Sequence, residues 1–284
     1  MADVCITEYT DPGCPWAYSA EPFRRRLSWL YGDHLEWRVR VVGLAEGPDE
    51  YVDRGFTPER QSKAFAMIAR EHGMPIDTSV RPRMAATVPA CRAIVAARLH
   101  APESMRRLLR RLRVRHFSGE LLDAPETIAG AAADAGIDAA ELETWSATDE
   151  VEAALRDDMV AARHPIAAAR VLDAKLANWS GGRRYTCPSY EIVRVSDGVK
   201  IAVPGFQPFA VYDVVTANLV PGVDRRPPAE SVEEVLAWTG TPLATKEVAV
   251  VCDIDFATAR ERLGRVAEEQ HVGADGFWSL NGSG

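Results

Sequence analysis

The sequence predicts an α/β protein in which a long helical block interrupts two β-containing segments. Three observations carry this. The amino-terminal stretch reads strand, turn, helix, strand; the stretch from about Thr57 to Asn178 is alanine-rich with helical patterns throughout; and a hairpin pattern returns after Gly181-Gly182. The division that follows is one domain over residues 1–56 and 179–224, an inserted helical domain over 57–178, and a small helical module over 229–284.

Val4 to Thr10 alternates and is rich in β-branched and aromatic residues, the pattern of a strand. Asp11-Pro12-Gly13 is turn chemistry. From Pro15 the period becomes helical, with Trp16, Phe23, Leu27 and Leu30 near one face, and Gly32 ends that helix. Leu35 to Leu44 alternates as a second strand.

Helices are expected over Pro58 to Gly73, Thr87 to His100, Glu103 to Ser118, Ala124 to Ala135, Ala139 to Thr144 and Glu150 to Arg163. Gly73-Met74-Pro75, Ala101-Pro102, Gly136 and His164-Pro165 separate them. Ser189 to Val195 and Val199 to Val203 flank the hairpin turn Ser196-Asp197-Gly198, and Pro208 to Leu219 reads as an apolar helix. Beyond the Arg225-Arg226-Pro227-Pro228 linker, helices are expected over Ser231 to Trp238, Thr245 to Cys252 and Phe256 to Glu268, then a short turn-rich end. This module loosely resembles a winged helix. From Ser231 to Gly284, four basic residues against nine acidic ones oppose DNA binding and favour docking or packing.

A formal net charge of -8 argues against a general nucleic-acid binder and gives no reason to expect an anionic membrane surface as partner. The amino terminus lacks a basic start and an apolar run, and no segment approaches the ~20 apolar residues that span a bilayer. The expected compartment is the cytoplasm, where a useful cysteine is catalytic or redox-active more often than structural. The five cysteines are scattered, without the close pairs of structural zinc sites. Cys5, Cys91 and Cys252 lie in apolar stretches and read as buried small hydrophobes.

The chemistry centres on Cys14-Pro15-Trp16-Ala17, half of a CxxC motif placed between a strand and a helix. A cysteine there faces the positive end of the helix dipole and free backbone N–H groups, both of which stabilise a thiolate. Ala17 stands where a dithiol motif carries its second cysteine, the thiol that resolves a mixed disulfide. A second cysteine precedes a proline in Tyr185-Thr186-Cys187-Pro188-Ser189-Tyr190.

Asp11-Pro12-Gly13-Cys14-Pro15-Trp16-Ala17-Tyr18 resembles the active-site turn of the DsbA-like thioredoxin superfamily, in the branch of FrnE-type oxidoreductases and 2-hydroxychromene-2-carboxylate isomerases. The resemblance covers about residues 4–220 and implies a thioredoxin-like fold split by the helical insertion. It implies Cys14 as nucleophile and Pro188 as the cis-proline shaping the groove. Pro15, Trp16, Ala17, Tyr18, Thr186 and Arg184 are the expected substrate contacts. Ala17 departs from the family's dithiol pattern, and Cys187 is a second departure. In this fold the residue before the cis-proline faces the nucleophile, so Cys187 is expected to substitute as resolving thiol if the two Cα atoms lie roughly 4.4–6.8 Å apart.

Elsewhere, Met105 to Phe117 is the strongest basic run. Met105, Leu108, Leu109 and Leu112 make an apolar stripe, and Arg106, Arg107, Arg110, Arg111, Arg113 and Arg115 are expected on a solvated outer face, the sharper reading being an anion site. Arg81, Arg83, Arg183 and Arg184 are further anion-binding candidates, and Trp16, Tyr18 and Trp179 a candidate aromatic wall. Neither a phosphate-cradling GxxxxGK run nor a GxGxxG element occurs, and no histidine constellation or metal-ligand spacing stands out.

The leading expectation is a cytoplasmic thiol–disulfide oxidoreductase with Cys14 attacking and Cys187 or an external thiol resolving. No tightly bound cofactor is expected; glutathione or mycothiol serves as co-substrate. The partners are a small thiol or disulfide, or a peptide, with a homodimer allowed. The alternatives are a glutathione-dependent isomerase or transferase, and a redox-inactive adaptor that uses the groove for binding.

Overall fold

β1 (Val4–Thr10) is buried along nearly its whole length, because in the computed structural model, which describes residues 2–281, it is an inner strand of a four-stranded sheet. The chain then forms α1 (Pro15–Ser19), α2 (Glu21–Tyr31) and β2 (Leu35–Val41). β2 runs parallel to β1, with Val4 opposite Leu35 and Thr10 opposite Val41. The single helix expected from Pro15 is two helices meeting at Ala20. Pro22 has no N–H to offer the Tyr18 carbonyl, so the helical ladder breaks there.

After α3 (Asp49–Asp53) comes the helical block: α4 (Pro58–His72), α5 (Val88–His100), α6 (Pro102–Phe117), α7 (Pro125–Asp134), α8 (Ala139–Ser146), α9 (Asp149–Arg163) and α10 (Ala167–Arg170). Thr57 caps α4 by accepting from the Arg60 N–H, worth ~1 kcal/mol. Gly73 ends α4 in the left-handed region at φ 74°. α5 is apolar almost all round because it lies at the centre of the block, and its core is continuous with Val39 and Val41 of β2.

A short antiparallel hairpin, β3 (Ala177–Trp179) with β4 (Gly182–Arg184), follows, without a strand signal in the sequence pattern. β5 (Ser189–Arg194) and β6 (Lys200–Val203) complete the main sheet in the order β2-β1-β5-β6, and α11 (Phe209–Leu219) packs beside it.

The carboxy-terminal stretch forms α12 (Val232–Thr239), β7 (Leu243–Ala244), α13 (Thr245–Cys252), α14 (Phe256–Val266), β8 (Ala267–Val272) and β9 (Asp275–Leu280). The expected turn-rich end is instead a β-hairpin, and it builds a three-stranded sheet in the order β7-β9-β8. Val248, Leu263 and Trp278 of this module share one apolar cluster with Ile6, Leu27 and Ile192, so the module packs directly on α2 and the main sheet.

The arginine run on α6 divides: Arg107 is exposed as expected and Arg106, Arg111 and Arg115 are half-buried, but Arg110 and Arg113 overturn the reading of a solvated face. Arg113 is 1% exposed and Arg110 8%, because α6 is sandwiched among β1, α2 and α13. Glu21 takes Arg110 at 2.5 Å and Arg113 at 2.7 Å, and Glu247 takes Arg110 and Arg25, each at 2.6 Å. Glu8 of β1 takes Arg113 at 3.3 Å and Arg106 at 3.4 Å. Burial alone would raise the Glu21 carboxyl; Arg110 and Arg113 reverse this and hold it well below the usual range. Arg110 and Arg113 are internal counter-ions, neither solvated nor free for a ligand.

Candidate active site

The end of β1 is held by a caged carboxylate. Asp11 is fully buried and accepts from the N–H groups of Gly13 and Leu44, each at 2.9 Å, from Thr87 Oγ1 at 2.9 Å and from the Cys91 thiol at 3.5 Å. Burial raises its pKa despite these bonds. The cage fixes the turn that ends at Cys14, which caps α1 in an extended conformation with Pro15 as the first helical residue. Cys91 is thus part of the cage.

The second half of the site comes from the approach to β5. The Cys187–Pro188 peptide bond is cis. Thr186 Oγ1 donates to the Lys175 carbonyl at 2.7 Å, and Ser189 Oγ donates to the Thr186 carbonyl at 2.7 Å while accepting from the Gly205 N–H at 3.0 Å. Gly205 adopts a positive φ of 72° here, and a Cβ at this position would meet the Lys175 carbonyl oxygen at 3.3 Å.

These two turns bring Cys14 and Cys187 together. Each is only 7% exposed, and as a thiol Cys14 donates to the Cys187 carbonyl oxygen at 3.3 Å. The Cys14 thiol is pulled below its ordinary range. The largest cause is a hydrogen bond from the Cys187 side chain; the N–H groups of Ala17 and Trp16 add to it, while burial and the Asp11 charge oppose it. The carbonyl contact favours the neutral thiol and works against these donors. Cys187 is pushed well above its ordinary range, first by burial, then by the hydrogen bond and charge of Cys14. The pair is therefore polarised, with thiolate character on Cys14.

Beneath the sulfurs, Tyr9 and Tyr185 stack with ring centroids 4.3 Å apart and both donate to Glu191 Oε1, at 3.0 and 2.9 Å. Ala17 is buried in the same cluster as Cys14, Tyr9 and Cys187. Pro15 and Trp16 are half-buried, Trp16 lying edge-on to His72 and Phe206. Tyr18 does not line the groove: it is fully buried, stacks on Phe117 at 4.5 Å and donates to the Pro75 carbonyl at 3.0 Å.

Of the arginine candidates, Arg184 lies by the site, where its charge lowers Cys187. Arg81 donates to the Glu120 carbonyl, Arg83 pairs with Asp123 at 2.6 Å and Arg183 with Asp173 at 2.6 Å, so these three are engaged elsewhere. Two arginines that sequence reasoning missed, Arg54 and Arg163, sit with Arg184 in one charged neighbourhood, and Arg163 covers the Trp179 ring at 5.3 Å. Tyr51 of α3 was missed too; burial raises its hydroxyl, and the charges of Asp11 and Cys14 raise it further. No local pattern marks these residues, because loops bring them in from separate segments. Among the described residues, no group of three or more His, Cys, Asp or Glu side chains could hold a metal. No described helix is long and apolar enough to cross a membrane.

Comparison with known proteins follows the same lines. A family model described as a DSBA-like thioredoxin domain matches residues 5–165. The ClpXP adapter protein SpxH of Halalkalibacterium halodurans is 27% identical over 279 residues, covering 94% of this chain and 84% of that protein. The cytosolic disulfide reductase DsbM of Pseudomonas aeruginosa superposes with a TM-score of 0.54 at 18% identity, over 76% of this chain and 100% of that one. Its structure with GSH superposes at 0.53, with 18% identity over 76% and 98%. At these identities the structural likeness establishes the fold alone.

Proposed function

Because the chain belongs to the family of DSBA-like thioredoxin domains, we propose that it is a thiol–disulfide oxidoreductase with Cys14 as nucleophile and Cys187 as resolving thiol. The observation that carries this reading is the meeting of the two buried cysteines, the Cys14 thiol 3.3 Å from the Cys187 carbonyl oxygen at the cis Cys187–Pro188 turn.

The Cys14 thiolate attacks one sulfur of a substrate disulfide. A Cys14–substrate bond forms, the substrate S–S bond breaks, and the leaving sulfur departs as a thiolate that takes a proton from solvent. Cys187 then loses its proton to solvent and attacks the Cys14 sulfur. The second substrate sulfur leaves and is protonated, and a Cys14–Cys187 disulfide remains. The substrate has gained two electrons and two protons; the protein has lost them. Two equivalents of an external thiol, of the glutathione or mycothiol class, reverse the change on the protein. Where Cys187 does not act, external thiol attacks the mixed disulfide directly. Arg184, whose charge acts on Cys187, supports a co-substrate that carries carboxylates. The compartment in this reading is the cytoplasm.

Mass spectrometry of the protein in graded glutathione/glutathione disulfide buffers tests this. A Cys14–Cys187 link or a Cys14–glutathione adduct is expected. Cys14 remaining free at every ratio overturns the proposal.

A second reading, an adaptor whose groove holds a protein segment without turnover, is favoured by the likeness to SpxH over 94% of the chain. The exposed apolar residues Val52, Phe56 and Trp179 near the groove suit a peptide. In that case Cys14→Ser retains partner binding in full, and disulfide reductase activity is absent from the unaltered protein.

A further inference from the structure

A cavity of about 740 Å³ lies away from the cysteines, between the end of α4, residues 73–78 and the carboxy-terminal module. Ala66, Met74, Ile76 and Phe256 give it apolar walls. The turn between β8 and β9 closes one side and is tightly fitted there: Gly273, at φ 63°, abuts the Ile76 backbone so closely that any Cβ would collide with its carbonyl. The cavity is therefore built jointly by the inserted helices and the module, and it lies in the size range of small-molecule sites.

Its polar groups are unevenly satisfied. The His72 side chain is 13% exposed, yet its Nε2 has no hydrogen-bond partner; the nearest carboxylate oxygen, on Glu71, is 3.9 Å away, beyond bonding distance. Lys246 and Arg70 line the same space and make no ion pair among the described residues. Two of the three carboxylates on the wall are engaged, and the third, Glu71, lies beside His72 without bonding to it and is mostly solvated. Asp275 is taken by Thr245 Oγ1 and by Arg260, Asp77 accepts from the N–H and hydroxyl of Ser79, and the Glu71 side chain is 59% exposed. A buried ring nitrogen without a partner carries a cost that a bound acceptor or donor would remove.

We propose that this cavity binds an apolar carboxylate, a small molecule whose hydrocarbon or aromatic body fills the space while His72, Lys246 and Arg70 meet its single negative charge. The apolar walls select the body, and the unengaged cations select the charge. The His72 ring packs edge-on to Trp16 of the cysteine turn at 5.0 Å, so the site borders the redox groove without sharing its thiols. This inference is independent of the thiol chemistry.

The test is calorimetric titration of the full chain with 4-phenylbutyrate and with its neutral isostere 4-phenyl-1-butanol. Saturable binding of the carboxylate at one site per chain is expected, with the alcohol at least tenfold weaker. Lys246→Gln weakens the carboxylate at least fivefold and leaves the alcohol unchanged, and Ala66→Trp abolishes both by filling the cavity mouth. No saturable binding, or carboxylate and alcohol binding alike to the unaltered protein, overturns the proposal. So does carboxylate binding that neither variant changes. The comparison of the two ligands on the unaltered chain decides the matter even where a variant folds poorly.

Discussion

The Cys14 sulfur lies 3.3 Å from the carbonyl oxygen of Cys187, across the cis peptide bond that joins Cys187 to Pro188. Their positions are separated by 173 residues, yet one strand end and one strand start place them at the same groove. Both the chemistry of this pair and the buried charges around it respond to single substitutions.

Cys14→Ser should abolish disulfide reductase activity altogether. Cys187→Ser should slow turnover by an order of magnitude or more at low external thiol and recover as glutathione is raised, because external thiol then resolves the mixed disulfide. A glutathione titration of both variants reads this out; equal loss at every glutathione concentration would remove Cys187 from the resolving role.

The rate of Cys14 alkylation by iodoacetamide should titrate with a midpoint below the ordinary ~8.5 of a free thiol. Cys187→Ala removes the largest lowering influence, so the midpoint should move up. The sign is firm: a donor to the thiolate favours the charged form, and its loss favours the neutral one. A midpoint unchanged by the substitution would place the cause elsewhere.

Glu21→Gln should cost about 3–5 kcal/mol, since it leaves Arg110 and Arg113 buried with one counter-charge fewer. Urea unfolding measures the loss. Glu247→Gln should destabilise the main sheet and the carboxy-terminal module together, because Glu247 joins Arg25 of α2 to Arg110 of α6. One cooperative transition is expected for both variants.

Stability should fall with acid before the carboxylates titrate. Burial pushes His116 down to about 3, with Arg81 adding to the effect. The ring stays neutral in the folded chain but takes a proton in the unfolded one below ~6.5, so its contribution is complete above that pH and declines as pH drops towards 3. The loss amounts to about 2 kcal/mol between pH 6.5 and 5. His116→Gln should flatten this part of the stability profile.

Local chemistry made much of the fold legible. The alternation of Val4 to Thr10, the turn Asp11-Pro12-Gly13, the hairpin around Ser196-Asp197-Gly198 and most helix boundaries follow from periods and caps that a few neighbouring residues set. Pro22 was a local signal too, since its missing N–H divides α1 from α2, but the apolar period across it masked the break. The β8–β9 hairpin is short, with a polar exposed face, and Val266-Ala267-Glu268 reads as readily as a helix end.

By itself, the sequence determined the cysteine turn, the proline turn and the strand-and-helix order that carries them, because each depends on residues adjacent in the chain. Only the tertiary structure decided what surrounds them. Arg110 and Arg113 have the pattern of a solvated helix face, yet Arg110 finds its partners Glu21 and Glu247 at separations of 89 and 137 residues, and these carboxylates draw the face inside. Tyr51 with Arg54, and Arg163, come from two segments far apart in the chain, and the Cys14 thiol is tuned by a side chain from beyond the insertion. Burial and charge pairing act through space, and no spacing along the chain encodes which distant group will arrive.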